Sequence, residues 1–471
     1  MNSTFKRRFL IIPGSIVIGV ICITILPRFW FSAYLKNDYH IPDPPLVQAK
    51  KADRLCLIFA LDGVPFDLMD ELHKEGFFKG FYKPGRLVST FPSLTRPAFS
   101  RMLIGGKPFG YERLYFDSSE NRIKGFTLLK KIFSSAEKYP DYHPRLHFLG
   151  FPGYIAYVFP DRFTQTAMDG FKKRVVEFKG TEFIAYMGIS DAISHVRGRE
   201  ALKNFLKRIS RLLDETRNES GVQMDMVVFS DHGNNFVPNQ WVDLVTPLEK
   251  AGFTDSKHLE TQKDFVLIQN GFVSSAAIYC SDETAPSIAE TLSHVNGVDF
   301  SVFKAGNSVI VHGKNAKAQI RKQEDRFRYI PITGDPLGLV PIMNDLNKTG
   351  KADTNGFIHE NDLWEATRDH IYPNPLRRIW DGLHNLVQYP STILVSFKDG
   401  YAFGPDIFNR QLIAGRESTH GALLASHSNG FFMTDFKPVK PYNRPKTVAE
   451  LLKKTAELKG NGFKSSGLKN E

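Results

Sequence analysis

Three short, uninterrupted apolar runs, at 55–61, 183–189 and 226–229, each stop at or just before an aspartate. The first ends in Asp62-Gly63, the second in Ser190-Asp191, and the third in Ser230-Asp231-His232-Gly233. Runs of this kind, rich in β-branched and aromatic residues and without polar alternation, suit strands buried on both faces of a parallel sheet. Helical stretches at 67–75 and 201–216 follow the first and second runs. Alternating β and α elements predict an α/β fold with a doubly wound, mostly parallel sheet. In such sheets ligands bind outside the carboxyl ends of the strands, so the three aspartates are delivered to one edge.

Histidines accompany the aspartates. His195 stands four residues after Asp191, on the same face if a helix begins there. His232 adjoins Asp231, and His420 lies in Glu417-Ser-Thr-His-Gly421 ahead of another apolar stretch. Three Asp and three His with no thiolate suit zinc, with manganese as second choice. Two ions about 3.5–4 Å apart would clamp the attacking and leaving oxygens of an in-line displacement. A hydroxyl nucleophile is available in Phe91-Pro-Ser-Leu-Thr-Arg-Pro97, where Ser93 and Thr95 both qualify. At the start of a helix either would sit at its positive end, which favours an alkoxide. The chain has only three cysteines; Cys56 and Cys280 are expected as buried free thiols.

This order of motifs resembles the alkaline phosphatase superfamily, and within it the type I phosphodiesterase/nucleotide pyrophosphatase branch. The resemblance spans roughly 55–435. It implies one ion held by Asp62, Thr95, Asp231 and His232, and another held by Asp191, His195 and His420. It also implies Thr95 as the nucleophile, with Ser93 as a supporting turn residue and a phospho-threonine intermediate. The sequence departs from that branch at Ala98-Phe99 after Pro97. It also has no Asn in the segment 109–117 that would donate to the phosphoryl oxygen, and Asn121 and Arg96 are the nearby substitutes.

The net charge of +11 first suggests nucleic acid, but its distribution argues otherwise. Residues 1–40 carry five Lys/Arg against one acid, residues 437–471 carry nine against three, and 41–436 are left near neutrality. Specific nucleic-acid binding is therefore not expected. Lys6-Arg7-Arg8 precedes an uncharged run of 18 residues, 9–26, with Phe29, Trp30, Phe31 and Tyr34 beyond it. That pattern predicts a single-pass anchor in segment 1–40, with a cleaved signal peptide as the competing reading, and the catalytic body on the outer, periplasmic or extracytoplasmic side. Residues 41–436 are expected to form the catalytic domain, with a smaller α+β insertion at 241–330. Strands at 392–397 and 430–434 are expected to return to the main body, and 437–471 to trail as a basic tail with one short helix around 448–458. The leading function is hydrolysis of a phosphodiester or pyrophosphate-type ester of a nucleotide, lipid headgroup or similar substrate. A headgroup phosphotransferase and a non-catalytic binding module are the alternatives.

Overall fold

The computed structural model describes residues 53–103, 105–125, 146–149, 160–269, 271–405 and 417–457. The first strand, β1 (Arg54–Leu61), is buried from Leu55 onward and divides its side chains between two apolar layers. Six helices matter to the site: α1 (Phe66–Lys74), α2 (Thr95–Met102), α3 (Pro160–Glu177), α4 (Ile189–Ser220), α5 (Pro375–His384) and α6 (Pro445–Glu457). Leu55, Leu57, Phe59 and Leu61 pack with Leu68 and Leu72 of α1, Phe171 of α3, and Leu202 and Leu206 of α4. Cys56, Ile58 and Ala60 face the other way, against Ala98 and Phe99 of α2 and Val448 and Leu452 of α6. Each large side chain so buried is worth about 1.5–3 kcal/mol over exposure. The strict alternation of β1 therefore glues helices to both faces, as a doubly wound sheet requires.

The remaining strands of this sheet are β2 (Gly85–Val88), β3 (Leu146–Leu149), β4 (Glu182–Met187), β5 (Gln223–Ser230), β6 (Asn429–Thr434) and β7 (Tyr442–Asn443). Their order is β7-β2-β6-β5-β1-β4-β3. The run β5-β1-β4-β3 is parallel, and β6 is antiparallel to both of its neighbours. The sheet is mostly parallel, in keeping with the apolar runs that predict it.

A second sheet of nine strands extends from Thr254–Asp255 to Ile393–Phe397. It thus continues well past residue 330, where the sequence places the end of a small insertion. The strand Ile393–Phe397 belongs to this sheet, paired with Val298–Ala305 and Ser275–Tyr279, and does not return to the first. All five of its residues are buried, and an apolar run of that kind fits either sheet equally well. The carboxyl-terminal stretch forms the helix expected around 448–458, but through residue 457 it packs on the body where the sequence expects it to trail. Residues 442–443 form the edge strand β7, and α6 docks on the sheet because Val448, Leu451 and Leu452 fall on one buried stripe. Cys56 and Cys280 are buried and stand outside any disulfide, as expected.

The segment 1–40, with the anchor expected at 9–26, lies outside the described residues, as do residues 458–471. Among the described residues no helix is long and apolar enough to cross a membrane.

Candidate metal centre

Strand register explains why the aspartates meet. Leu61, the last residue of β1, pairs with Met187 of β4 on one side and Ser230 of β5 on the other. The chain therefore leaves all three strands at one level, carrying Asp62, the start of α4 and Asp231. Gly63 has φ +64, and a Cβ there would run into Asp191 Oδ1 and Asn234 Nδ2. Its N–H donates to Asp231 Oδ1 at 3.1 Å. Only glycine fits this turn, so the Asp-Gly pair is a requirement of the site. Asp191 and His195 project from the first turns of α4, which kinks at Gly198 (φ 74, ψ −170) before running on.

Four donor groups close on one point. His232 Nε2 lies 3.4 Å from Asp62 Oδ1, 3.3 Å from Asp231 Oδ2 and 3.4 Å from Thr95 Oγ1. The Thr95 hydroxyl donates to Asp62 Oδ1 at 3.3 Å. Zinc bonds of about 2.0–2.2 Å to N and O donors imply tetrahedral edges of about 3.3–3.6 Å, which these contacts match. Asp231 Oδ2 is buried and accepts no hydrogen bond. His232 Nδ1 donates to Gly233 O at 2.9 Å, since a carbonyl can only accept, and this leaves Nε2 to face the donors. The residues present fit a cation.

The second set is looser. His195 Nε2 is 3.3 Å from Asp191 Oδ2, and His420 Nε2 is 3.9 Å from Asp191 Oδ1. The His195 and His420 rings are 5.3 Å apart, whereas His232 and His420 stack at 3.8 Å. Donor atoms of Asp191, His232 and His420 lie within 4.8 Å of one another, as do those of Asp62, Asp231 and His232. His232 thus borders both groups, and His195 reaches its group through Asp191. The His420 loop is pinned by Glu417 N to His195 O at 2.9 Å and by Ser194 Oγ to Ser418 Oγ at 3.0 Å. His420 Nδ1 donates to Ser93 O at 2.8 Å.

Electrostatics follow from burying three carboxylates together. Burial, then the Asp191 charge, raises the Asp62 pKa. Burial likewise holds Asp231 well above the ordinary carboxylate range. For Asp191 burial is outweighed by His195 and the other imidazoles, and its pKa falls well below normal. Burial opposes charge on His232, yet Asp231, Asp62 and Asp191 together push it up to about 10. Burial and then the His232 charge hold His420 well below the ordinary imidazole value. A cavity with this balance favours positive charge at its centre.

Several neighbours carry no sequence signal. Tyr186 OH donates to Asp62 Oδ2, and strand alternation alone does not single that residue out. Asn234 Nδ2 donates to Gly63 O at 2.7 Å and to Asp191 Oδ1 at 3.3 Å; its place two residues after His232 is the one available hint. Ser93 stays in the turn before α2, with its hydroxyl donating to Thr90 O and Ala422 O. Arg96 is buried, its Nη1 3.4 Å from Glu112 O. Asn121 is occupied away from the centre, donating to Leu259 O and accepting from Leu259 N.

No protein-family model matches the chain, and no curated protein matches its sequence. Similar solved structures include human ectonucleotide pyrophosphatase/phosphodiesterase 5, at 12% identity over 86% of this chain and 94% of that chain, TM-score 0.47. Another is the inactive murine ectonucleotide pyrophosphatase/phosphodiesterase 5 in complex with AMP, at 10% identity over 85% of this chain and 94% of that chain, TM-score 0.45. A third is phosphonoacetate hydrolase from Sinorhizobium meliloti 1021 in complex with phosphonoformate, at 12% identity over 85% of this chain and 95% of that chain, TM-score 0.44.

Proposed function

We propose that the chain is a two-metal phosphoesterase of the alkaline phosphatase superfamily, hydrolysing phosphodiester or pyrophosphate-type esters through Thr95. The observation that carries this reading is the position of Thr95 Oγ1 at the start of α2, 3.3 Å from Asp62 Oδ1 and 3.4 Å from His232 Nε2. Asp62, Thr95, Asp231 and His232 hold one ion; Asp191, His195 and His420, with His232 at their border, hold the other. Bound zinc or manganese supplies Lewis acidity to the attacking and leaving oxygens.

The protein's own groups orient the reaction. Asp62 accepts the Thr95 hydroxyl and so aims its lone pair away from the carboxylate. Attack forms an Oγ–P bond and breaks the P–O bond to the leaving group; the threonine proton passes to Asp62 and on to solvent, and the leaving oxygen takes a proton from water. Water then cleaves the phospho-threonine, restoring the hydroxyl and releasing the phosphoryl product. No side chain caps α2, and the positive end of a helix favours the anionic phosphoryl group. The run at 9–26 and its basic flank support a membrane anchor with the catalytic body outside.

The test uses the full-length chain in detergent, loaded with zinc, on bis(4-nitrophenyl) phosphate and 4-nitrophenyl phosphate. Turnover of the diester, lost by at least about 1000-fold in Thr95→Ala and in chelated protein, is expected. Failure of metal-loaded protein to cleave either ester would overturn the hydrolase reading. Unchanged turnover in Thr95→Ala would overturn the nucleophile. Transfer of label to an acceptor lipid instead of water would point to the phosphotransferase.

A further inference from the structure

Arg378 of α5 is 5% exposed, and its guanidinium is surrounded by neutral acceptors. Nη1 donates to Pro373 O at 3.0 Å and Leu423 O at 2.9 Å. Nη2 donates to Thr90 O at 2.9 Å, Ser93 Oγ at 3.0 Å and Ser428 Oγ at 2.5 Å. Among the described residues no carboxylate pairs with it, and burial pulls its pKa down to about 9. An uncompensated interior charge is costly, and a neutral side chain of similar length would fill the same space without that cost.

Three of the acceptors belong to two segments that matter. Thr90 and Ser93 bracket the turn that delivers Thr95, and Leu423 follows His420 by three residues. The two segments are also tied directly: Ser93 N donates to Gly421 O at 3.1 Å, and His420 Nδ1 donates to Ser93 O at 2.8 Å. One turn along α5, Gly382 lies so near the same turn that a Cβ would come within 2.5 Å of Phe91 O. Helix α5 therefore bears on the nucleophile turn at two points, and the planar fork of Arg378 joins that turn to the His420 loop. A lysine ammonium cannot span these acceptors at once.

We infer that Arg378 is a positioning residue, setting the distance between Thr95 in one half of the metal centre and His420 in the other. The inference rests on the phosphoesterase reading for its kinetic effect, and on the metal centre alone for its spectroscopic one. Misplacement by about 1 Å is worth about 100-fold in rate, and loss of a group that orients a metal ligand about 10–100-fold.

The full-length chain is compared with Arg378→Lys, Ser93→Ala and Leu383→Ala. Leu383 is buried on the same helix, in the apolar cluster that holds Phe91, Leu94 and Leu423, so its variant reports loss of packing beside the turn with the Arg378 hydrogen bonds kept. Each protein is loaded with Co2+, and its visible absorption, melting temperature, kcat and KM are measured. Arg378→Lys is expected to lower kcat about 30- to 100-fold, leave KM within about threefold, and shift the cobalt spectrum. Leu383→Ala should lower the melting temperature while keeping kcat within about threefold and the spectrum unchanged. A kcat and spectrum for Arg378→Lys equal to those of Leu383→Ala would overturn the inference. If Arg378→Lys does not fold, Ser93→Ala decides: a spectral shift supports the inference, and a wild-type spectrum overturns it. If the wild-type chain cleaves neither ester, the phosphoesterase reading fails and the cobalt spectra alone decide. A wild-type chain that takes up no cobalt overturns the positioning role as well.

Discussion

The two halves of the proposed metal centre are built differently. Asp62, Asp231 and His232 sit at the ends of neighbouring parallel strands in register, and Thr95 opens a helix packed on the same sheet. Their donors approach at 3.3–3.4 Å. Asp191 and His195 come from a helix that kinks at Gly198, and His420 from a loop held by hydrogen bonds, with a 3.9 Å contact between Asp191 and His420. Strand ends fix a ligand through backbone ladders on both sides, whereas a loop fixes one through a few side chains. The first half should therefore bind its ion tightly and the second should exchange more readily.

The largest effect is expected from His232, which borders both groups. His232→Ala should remove most bound metal and reduce turnover by at least about 1000-fold, measured as metal per chain and kcat/KM. Two ions retained in that variant would break the comparison. His420→Ala should lose one ion per chain and about 100-fold in turnover, with the tighter ion resisting a competing chelator as in the wild type. Equal release of both ions from the wild-type chain would show the halves to be equivalent.

Glu112 offers a control, a partly buried carboxylate outside both halves whose acceptor oxygen takes Gly271 N at 2.9 Å. Burial pushes its carboxyl up to about 7 from an ordinary value of 4.5. Below pH 4.5 it is protonated whether folded or unfolded and costs nothing. Between pH 4.5 and 7 the unfolded chain releases the proton first, so stability falls as pH rises and levels off above 7. Glu112→Gln should therefore stabilise the protein at pH 8 by about 2 kcal/mol, allowing for solvent at its exposed side. The gain should vanish near pH 4 and be the same with or without added metal. A gain that metal abolishes would place Glu112 in the centre. The smallest effect is expected from Val448→Ala in α6, about 1–2 kcal/mol of stability from the lost buried methyls, read by thermal unfolding. Turnover per folded molecule should stay within about twofold.

What the sequence made legible follows the same division. Asp62, Asp191 and Asp231 could be placed because each ends or closely follows an apolar run, and parallel strands share one exit edge. Nothing in the spacing of His420 shows that its Nδ1 meets the Ser93 carbonyl, because that contact joins residues 327 apart. Tyr186, Asn234 and Arg378 are hidden for the same reason: each acts through partners distant in the chain. The strand Ile393–Phe397 shows the limit of composition, since a fully apolar pentamer states that it is buried and not between which neighbours. The short helix of the carboxyl-terminal stretch is legible, but Lys453 and Lys454 mask the stripe of Val448, Leu451 and Leu452 that seats it as α6.

Strand β6 lies between β2 and β5, inside a sheet whose strands β1 to β5 come much earlier in the chain. A ribosome makes the start of α2 about 350 residues before α6. At about 5–20 residues per second, that interval is about 20–70 s. Through most of it β2 lacks the strand that joins it to β5, and α2 lacks the cover that Val448 and Leu452 of α6 give it. The nascent chain thus carries Thr95 in an unfinished sheet, a target for chaperones and proteases. Synthesis must reach residues 429–457 before Thr95 stands on a closed scaffold.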